Sequence, residues 1–351
     1  MIRTPYLTAR AAAARLKVTP ATLYAYVSRG LVRSEPGAGR ERRYRTEDIE
    51  ALARRRSGAS ATDALDWGAP VLDSAITAIA GDRVLYRGVD ALTLARQASV
   101  RAVAELLWQA EGSEIFAADN VPATGAGFLA AREAARGLAP LERCLALLPH
   151  AAGDDPRAND LAPAAVARTG ARLLRLLAAI IAQRMPSARP VDAVLAEAWG
   201  AGTEGRQLLR AALILCADHE LNVSAFTVRC VASAGAAPHL AMLAGLAALR
   251  GWRHGGAGER AGAFLDGALR LGDPERDLAE RLQRGDSFPG FGHPLYPTGD
   301  PRGRLLLELL SEAKSAAAEA ARPIAAAATE LTGRAPNIDW ALAVLALHLD
   351  L

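Results

Sequence analysis

Apolar residues recur every three to four positions along most of this chain, and the segments that break this rhythm are short. LTARAAAARLKVTPATLYAYVSRGLV (residues 7–32) predicts two short helices. Thr8 caps the first, with Ala11, Ala12 and Leu16 on its inner face, and Lys17-Val18 make the turn. Thr19 caps the second, with Pro20 at the first helical position, where a missing N–H removes no bond. Leu23 and Val27 lie four apart and face inward, and Gly30 suits the left-handed position after the helix end. PGAGRERRYR (36–45) then predicts a two-stranded wing around a Gly-rich turn. Thr46 caps a third helix, with Glu47 and Asp48 in its first turn, ending at Arg54-Arg55-Arg56. Ser57–Thr62 is a run of small residues, and a domain boundary is placed there.

From about residue 66 the pattern is helical, with one exception. ITAIAGDRVLYRG (76–88) predicts two short strands turning at Gly81-Asp82. ASVRAVAELLWQA (98–110) opens a helix capped by Ser99. Residues 111–165 mix short helices with Pro, Gly and Asp breaks. Strongly apolar helices are expected in 167–185 and 201–222, and another begins near Asp339 in APNIDWALAVLAL (335–347).

Composition changes the picture in two places. At 351 residues and 51% hydrophobic, the chain is long enough for more than one domain and a sizeable core. The net charge of +3 is unevenly spread: residues 1–56 carry 13 Lys/Arg against 5 Asp/Glu, and the remainder is net −5. A basic head on a mildly acidic body points to an anionic partner for the head alone. No apolar run is long enough for a membrane span, and the start lacks the apolar core of a signal peptide. Three cysteines (Cys144, Cys216, Cys230) show no metal spacing, which suits a reducing cytoplasm, and no metal site is expected. Neither GxGxxG after a strand nor GxxxxGK[ST] occurs.

Four segments carry candidate chemistry. ADHELNVSAFTVR (217–229) places His219 at a helix end, and LRGWRHGGAGERAG (249–262) places His254 in a Gly-rich turn before a new helix. PGFGHPLYPTGDPR (289–302) holds His293 in a stiff, bent loop with Arg302 nine residues on, and PNIDW (336–340) carries Asp339. Singly, each has a structural reading: a satisfied core histidine, an ordinary turn, a ring packed on Tyr296, a helix cap.

In this order and spacing, the four segments resemble the citrate synthase family, and the similarity spans about residues 70–351. The resemblance implies a mainly α fold, with large and small helical domains (the small one about 255–345) that close over a cleft, and a homodimer packed through large-domain helices. It implies condensation of acetyl-CoA, or a related acyl-CoA such as propionyl-CoA, with oxaloacetate to give citrate and CoA. Asp339 would take the methyl proton, neutral His254 would stabilise the enol, and His293 would protonate the ketone. His219 and Arg302, the latter as a bidentate clamp, would bind the dicarboxylate. No cofactor is implied. The chain departs from the family at Pro297, where a basic residue often meets CoA phosphate, at Gly258, where many members have Asn, and at Pro294, where many bacterial members have Arg. These departures bear on CoA affinity and acyl selectivity. Family members usually continue past the equivalent of HLDL (348–351) with helices carrying further substrate-binding arginines, so residues 58–351 are expected to form a citrate synthase-like domain without those C-terminal helices.

Residues 1–57 resemble the winged helix-turn-helix of the MerR and excisionase type. That implies that Thr22, Tyr24, Ala25 and Arg29 enter the DNA major groove, while Arg40, Arg42 and Arg43 touch phosphates. The alternative is a three-helix module that docks on protein. Two functions therefore stand side by side: an acyltransferase with an accessory head, and a DNA-binding regulator whose body senses a metabolite.

Overall fold

A computed structural model describes residues 6–16, 18–28, 32–37, 42–46, 48–49, 74–220, 222–252, 254–270 and 273–351. The chain forms two compact units, residues 1–72 and 73–351.

In the first unit, β1 (Tyr6–Thr8) leads into α1 (Ala9–Leu16) and α2 (Pro20–Ser28), followed by β2 (Ser34–Pro36) and β3 (Arg42–Arg45). Both expected caps are made: the Thr8 and Thr19 hydroxyls accept from the N–H groups of Ala11 and Thr22 at 3.3 Å. Helix α1 buries Ala12, Ala13 and Leu16 and leaves Ala11 exposed, so the inner face lies one residue from where it was expected. Leu16 sets that face, and its i−3 and i−4 neighbours are Ala13 and Ala12. These side chains pack with Leu23, Val32, Tyr44 and Ile49. The expected wing gains a third strand, giving the antiparallel order β1-β3-β2 with Leu7 opposite Tyr44. Arg42 and Arg43 are exposed on β3, and Tyr24 is exposed on α2. Arg29, Arg40, Gly30, most of the expected third helix and the 57–62 linker lie outside the described residues.

The second unit opens with β4 (Thr77–Ala80), β5 (Arg83–Tyr86) and β6 (Val89–Asp90), an antiparallel meander that turns at Gly81 with φ +61°. Helices follow in order: α3 (Ala91–Gln97), α4 (Val100–Trp108), α5 (Ala126–Ala134), α6 (Pro140–Asp154), α7 (Pro163–Ile181), α8 (Val191–Ala198) and α9 (Gly202–Leu215). Then come α10 (Val223–Ser233), α11 (Pro238–Leu249), α12 (Gly256–Leu269), α13 (Pro274–Gln283), α14 (Pro301–Glu312), α15 (Ala316–Thr332) and α16 (Ile338–His348). Ser99 caps α4 as expected. Helix α9 stops at Leu215, short of the expected 222, which frees residues 216–220 to form an irregular segment bearing His219. One continuous core runs from Val84 and Tyr86 through α9, α12, α14 and α15 to Trp340 and Val344 on α16. No helix among the described residues is long and apolar enough to cross a membrane.

Two tethers place the loops that matter. The buried Tyr86 hydroxyl donates to the carbonyls of Ile214 (2.9 Å) and Leu215 (3.2 Å), and the Thr77 hydroxyl donates to Asp218. The early hairpin thus pins the segment that holds His219. The second tether joins residues 290–292 to 335–337: Gly292 N–H donates to Ala335 O and Asn337 N–H to Gly290 O, both at 2.8 Å. Helix α14 packs so closely on this seam that a Cβ on Gly303 would lie 2.6 Å from the Asn337 carbonyl carbon and oxygen. Gly303→Ala is expected to destabilise the chain by about 1–3 kcal/mol through that clash. Gly262→Ala, on α12, where an added Cβ meets nothing within 4 Å, should stabilise it by about 0.4–1 kcal/mol. Chemical unfolding curves of the two variants check both signs.

Candidate active site

His219, His293 and Tyr296 form one aromatic cluster. The His219 and His293 rings meet edge to face at 5.3 Å between centroids, and Tyr296 lies 4.9 Å from His293. The Tyr296 hydroxyl is 2.8 Å from His219 Nε2. Pro294 keeps the loop from continuing a helix, and Leu295 N–H turns back to donate to His293 Nδ1 at 3.2 Å. With Nδ1 accepting, the neutral His293 ring carries its proton on Nε2.

Arg302 lies under the Tyr296 ring, its guanidinium carbon 5.6 Å from the centroid. Its fork is already closed on Asp300: Nε to Oδ1 at 3.0 Å and Nη2 to Oδ2 at 2.7 Å, both side chains buried. This corrects the expectation of a bidentate clamp open to ligand, because two of the three guanidinium nitrogens are bound to Asp300. Asp300 also caps α14 by accepting from Arg302 N–H, and accepts from Ile338 N–H at 3.1 Å. Burial would raise its carboxyl, but the Arg302 guanidinium overrides this and holds it below the usual carboxylate value.

Asp339 stands in the first turn of α16, and its expected alternative role as the cap falls instead to Asn337, whose Oδ1 accepts from Asp339 and Trp340 N–H. The Asp339 carboxyl comes within 3.9 Å of where a Cβ on Gly258 would sit, in the first turn of the helix that follows His254. Burial raises the Asp339 carboxyl above its ordinary value, opposed by the Arg302 charge. His254 Nε2 lies 2.9 Å from the Ser224 hydroxyl, which in turn lies 2.8 Å from Asn222 Oδ1. With Ser224 donating to Asn222, His254 donates its Nε2 proton to Ser224. When the hydroxyl turns to His254 instead, the imidazole proton moves to Nδ1.

All three histidines are neutral for one physical reason, burial, which lowers each of their pKa values. His219 is lowered furthest, to about 3, with Arg302 and His293 adding to the effect. The expected site residues in the body are therefore brought together, His219, His293 and Arg302 directly and Asp339 beside the helix that His254 leads. Sequence reasoning missed Ser224, Asn222, Asp300 and the polar role of Tyr296. The Asn222-Val223-Ser224 cap pattern and the Asp300-Pro301 helix start were visible signals for two of them. Among the described residues no group of His, Cys, Asp or Glu could hold a metal ion.

The second unit thus brings three histidines, a carboxylate and an arginine from four separate segments of a helical body to one site. The family description "Citrate synthase, C-terminal domain" matches residues 64–351, and "Helix-turn-helix domain" matches residues 6–57. The chain belongs to the citrate synthase family. It is 28% identical over 189 residues to the citrate synthase of Deinococcus radiodurans, covering 50% of each chain. It is 35% identical over 102 residues to the 2-methylcitrate synthase of Shewanella oneidensis, covering 29% of this chain and 27% of that one. These matches span half or less of the relatives' lengths. The fold is similar to the citrate synthase of Thermoplasma acidophilum, solved with carboxymethyl coenzyme A and oxaloacetate. That match has TM-score 0.65 and 22% identity over 81% of this chain and 83% of that one.

His219, neutral when folded and near 6.5 when exposed, ties stability to pH. Its folded pKa is depressed, so as pH falls from about 6.5 towards 3 the unfolded state takes up the proton first and stability is lost, on the order of 1 kcal/mol per pH unit. Asp339, with a raised folded pKa, works in the opposite direction. The difference in urea-unfolding free energy between the parent and His219→Gln should therefore shrink as pH falls through that window.

Proposed function

We propose that this chain is a citrate synthase-type acyltransferase, joining an acyl-CoA, acetyl-CoA foremost, to oxaloacetate and releasing citrate and CoA. The observation that carries the reading is the convergence of a half-buried carboxylate and neutral histidines from four separate segments, with His293 holding its proton on Nε2.

Asp339, a stronger base for its partial desolvation, removes a proton from the acyl α-carbon. His254 donates from Nδ1 to the thioester oxygen and stabilises the enol, once the Ser224 hydroxyl has turned from Asn222 to Nε2. The enol carbon attacks the ketone carbon of oxaloacetate, forming the new C–C bond, and His293 delivers its Nε2 proton to the ketone oxygen. Water then cleaves the thioester C–S bond, giving citrate and CoA. His219 and the free Nη1 of Arg302 orient the dicarboxylate. An acyl methylene shifts selectivity by only about 1–3 kcal/mol, so propionyl-CoA, giving 2-methylcitrate, is the related alternative. A homodimer is supported by α10, whose apolar residues Val223, Phe226, Val228 and Val231 include none that the single chain buries.

A second reading, a DNA-binding regulator with a metabolite-sensing body, is favoured by the +8 charge of residues 1–56 and the exposed Tyr24, Arg42 and Arg43. Here Thr22 and Tyr24 read base edges, and the arginines neutralise phosphates.

Thiol release from acetyl-CoA plus oxaloacetate tests the first reading. Asp339→Asn and His293→Ala should each lower kcat by about 100- to 10,000-fold, whereas release that is absent from the parent or equal in the variants overturns it. Duplex binding tests the second: removing both Arg42 and Arg43 should flatten the slope of log K against log salt by about 1.8, and an unchanged slope excludes them from the phosphate contacts.

A further inference from the structure

A cleft of about 270 Å³ opens on the second unit, apart from the histidine cluster, between the start of α4, the middle of α7, the start of α8 and the middle of α9. Five arginines line it: Arg101, Arg175, Arg189, Arg206 and Arg210. Three have carboxylate partners, Arg101 with Glu105, Arg189 with Glu197, and Arg206 with Asp192. Asp192, the one carboxylate among the described residues lining the cleft, is thus already held by Arg206 at 2.6 Å.

The other two guanidinium groups are bound by carbonyls. Arg175 is 5% exposed and donates to the main-chain oxygens of Phe116, Ala117, Asn120 and Ala188 at 2.6–3.2 Å. Arg210 donates to Ala98 O at 2.6 Å and Arg96 O at 3.0 Å. Carbonyl oxygens satisfy N–H donors without cancelling charge, so two positive charges remain at the floor and wall of a concave, partly desolvated space. Two further features fit an anion. Helix α8 begins at this cleft with no side-chain cap on its first amides, and the acidic residue of its first turn, Asp192, is held by Arg206, so the helix's positive end lines the same space. Apart from Ser99, the rest of the described lining is apolar, with Val100, Phe116, Leu174 and Val191.

We propose that this cleft is a binding site for a phosphate monoester of a short carbon skeleton. A phosphate monoester carries about −1.5 to −2 charge at pH 7, which matches the two uncompensated arginines, and its oxygens suit guanidinium forks. The cleft is just under the ~300 Å³ at which small-molecule sites begin, so the ligand is compact and its carbons lie on the apolar wall. The site is coupled to the histidine cluster by one rigid element: α9 carries Arg206 and Arg210, and its C-terminal carbonyls are gripped by Tyr86 just before His219. The inference stands whether or not the body is catalytic.

Titration calorimetry of the full chain with glycerol 3-phosphate at low salt tests it, with glycerol as the uncharged control. Saturable binding of the phosphate and none of glycerol is expected. Arg101→Gln and Arg210→Gln should each weaken it about tenfold or more, and affinity should fall below about pH 6, where the phosphate takes up its second proton. His293→Ala should bind like the parent. Arg101 gives only its Nε to Glu105, which leaves its terminal guanidinium N–H groups for the phosphate at the rim, so its variant keeps the test decisive where Arg210→Gln compromises folding. No saturable binding by the folded parent, binding that Arg101→Gln leaves unchanged, or binding lost only in His293→Ala would each overturn the proposal; the last would place the phosphate at the histidine cluster.

Discussion

The buried carboxylate of Asp300 holds the candidate active site together. Its side chain is fully shielded from solvent, an arrangement that costs several kcal/mol for an isolated ion. Four donors offset this cost: the main-chain N–H of Arg302, two guanidinium N–H groups of Arg302, and the N–H of Ile338. One residue thereby caps α14, orients the arginine beneath Tyr296 and fixes the start of α16, and with it Asp339. His293 lies seven residues upstream on the same loop, which the seam between 290–292 and 335–337 fastens to the same helix start. Removing the carboxylate would strand a buried guanidinium, at a cost near the 3–5 kcal/mol of a broken buried pair. Asp300 positions the cluster; it is not one of the groups assigned to the chemistry.

The electrostatics of the cluster follow from that pair. Arg302 and Asp300 act in opposite directions on His219 and His293, the guanidinium lowering their pKa values and the carboxylate raising them. Burial then decides, and all three are neutral. Asp339 is raised by the same burial, and among the described residues no cation is bonded to it. A neutral imidazole is a hydrogen-bond donor that keeps its proton until a stronger base forms. A destabilised carboxylate is a willing base. The two properties arise from one cause, the removal of water, acting on groups of opposite charge type.

What was legible in the sequence was local. The caps at Thr8, Thr19 and Ser99 and the hairpin turn at Gly81 rest on neighbours within four residues, the turn around His254 on neighbours within six, and each formed where expected. The four site segments were found because each carries a compact pattern. What stayed hidden was the partner of each group. Nothing beside Asp300 in the sequence shows that its decisive bond reaches Ile338, 38 positions away. Arg302 was expected to face ligand because nothing in its own segment shows that Asp300 closes its fork. Strand β1 was missed because three residues carry no period, and its pairing with β3 depends on Leu7 meeting Tyr44 across 37 positions. Ala11 was placed inward because alanines differ too little in apolar area to mark a face; Leu16 settles it.

The abundance of arginine, uninformative as a composition, has a structural use. Helix C-termini leave carbonyls without partners, and glycine-based caps are one remedy. Here guanidinium groups supply others. Arg143 donates to Ile180 and Ile181 at the end of α7, Arg210 to Arg96 and Ala98 at the end of α3, and Arg87 to Leu107 at the end of α4. A planar guanidinium can serve two carbonyls from fixed positions, which a flexible ammonium does less well. It also lies where the helix dipole favours a cation. The consequence is electrostatic. An arginine held by carbonyls keeps its full charge, so every helix end closed this way leaves a positive site inside the fold. Where such an end is exposed, water screens the charge. Where it borders a cleft, as with Arg210 beside the carbonyl-bound Arg175, the charge persists in a space with few carboxylates, and the device that closes a helix becomes a place for an anion.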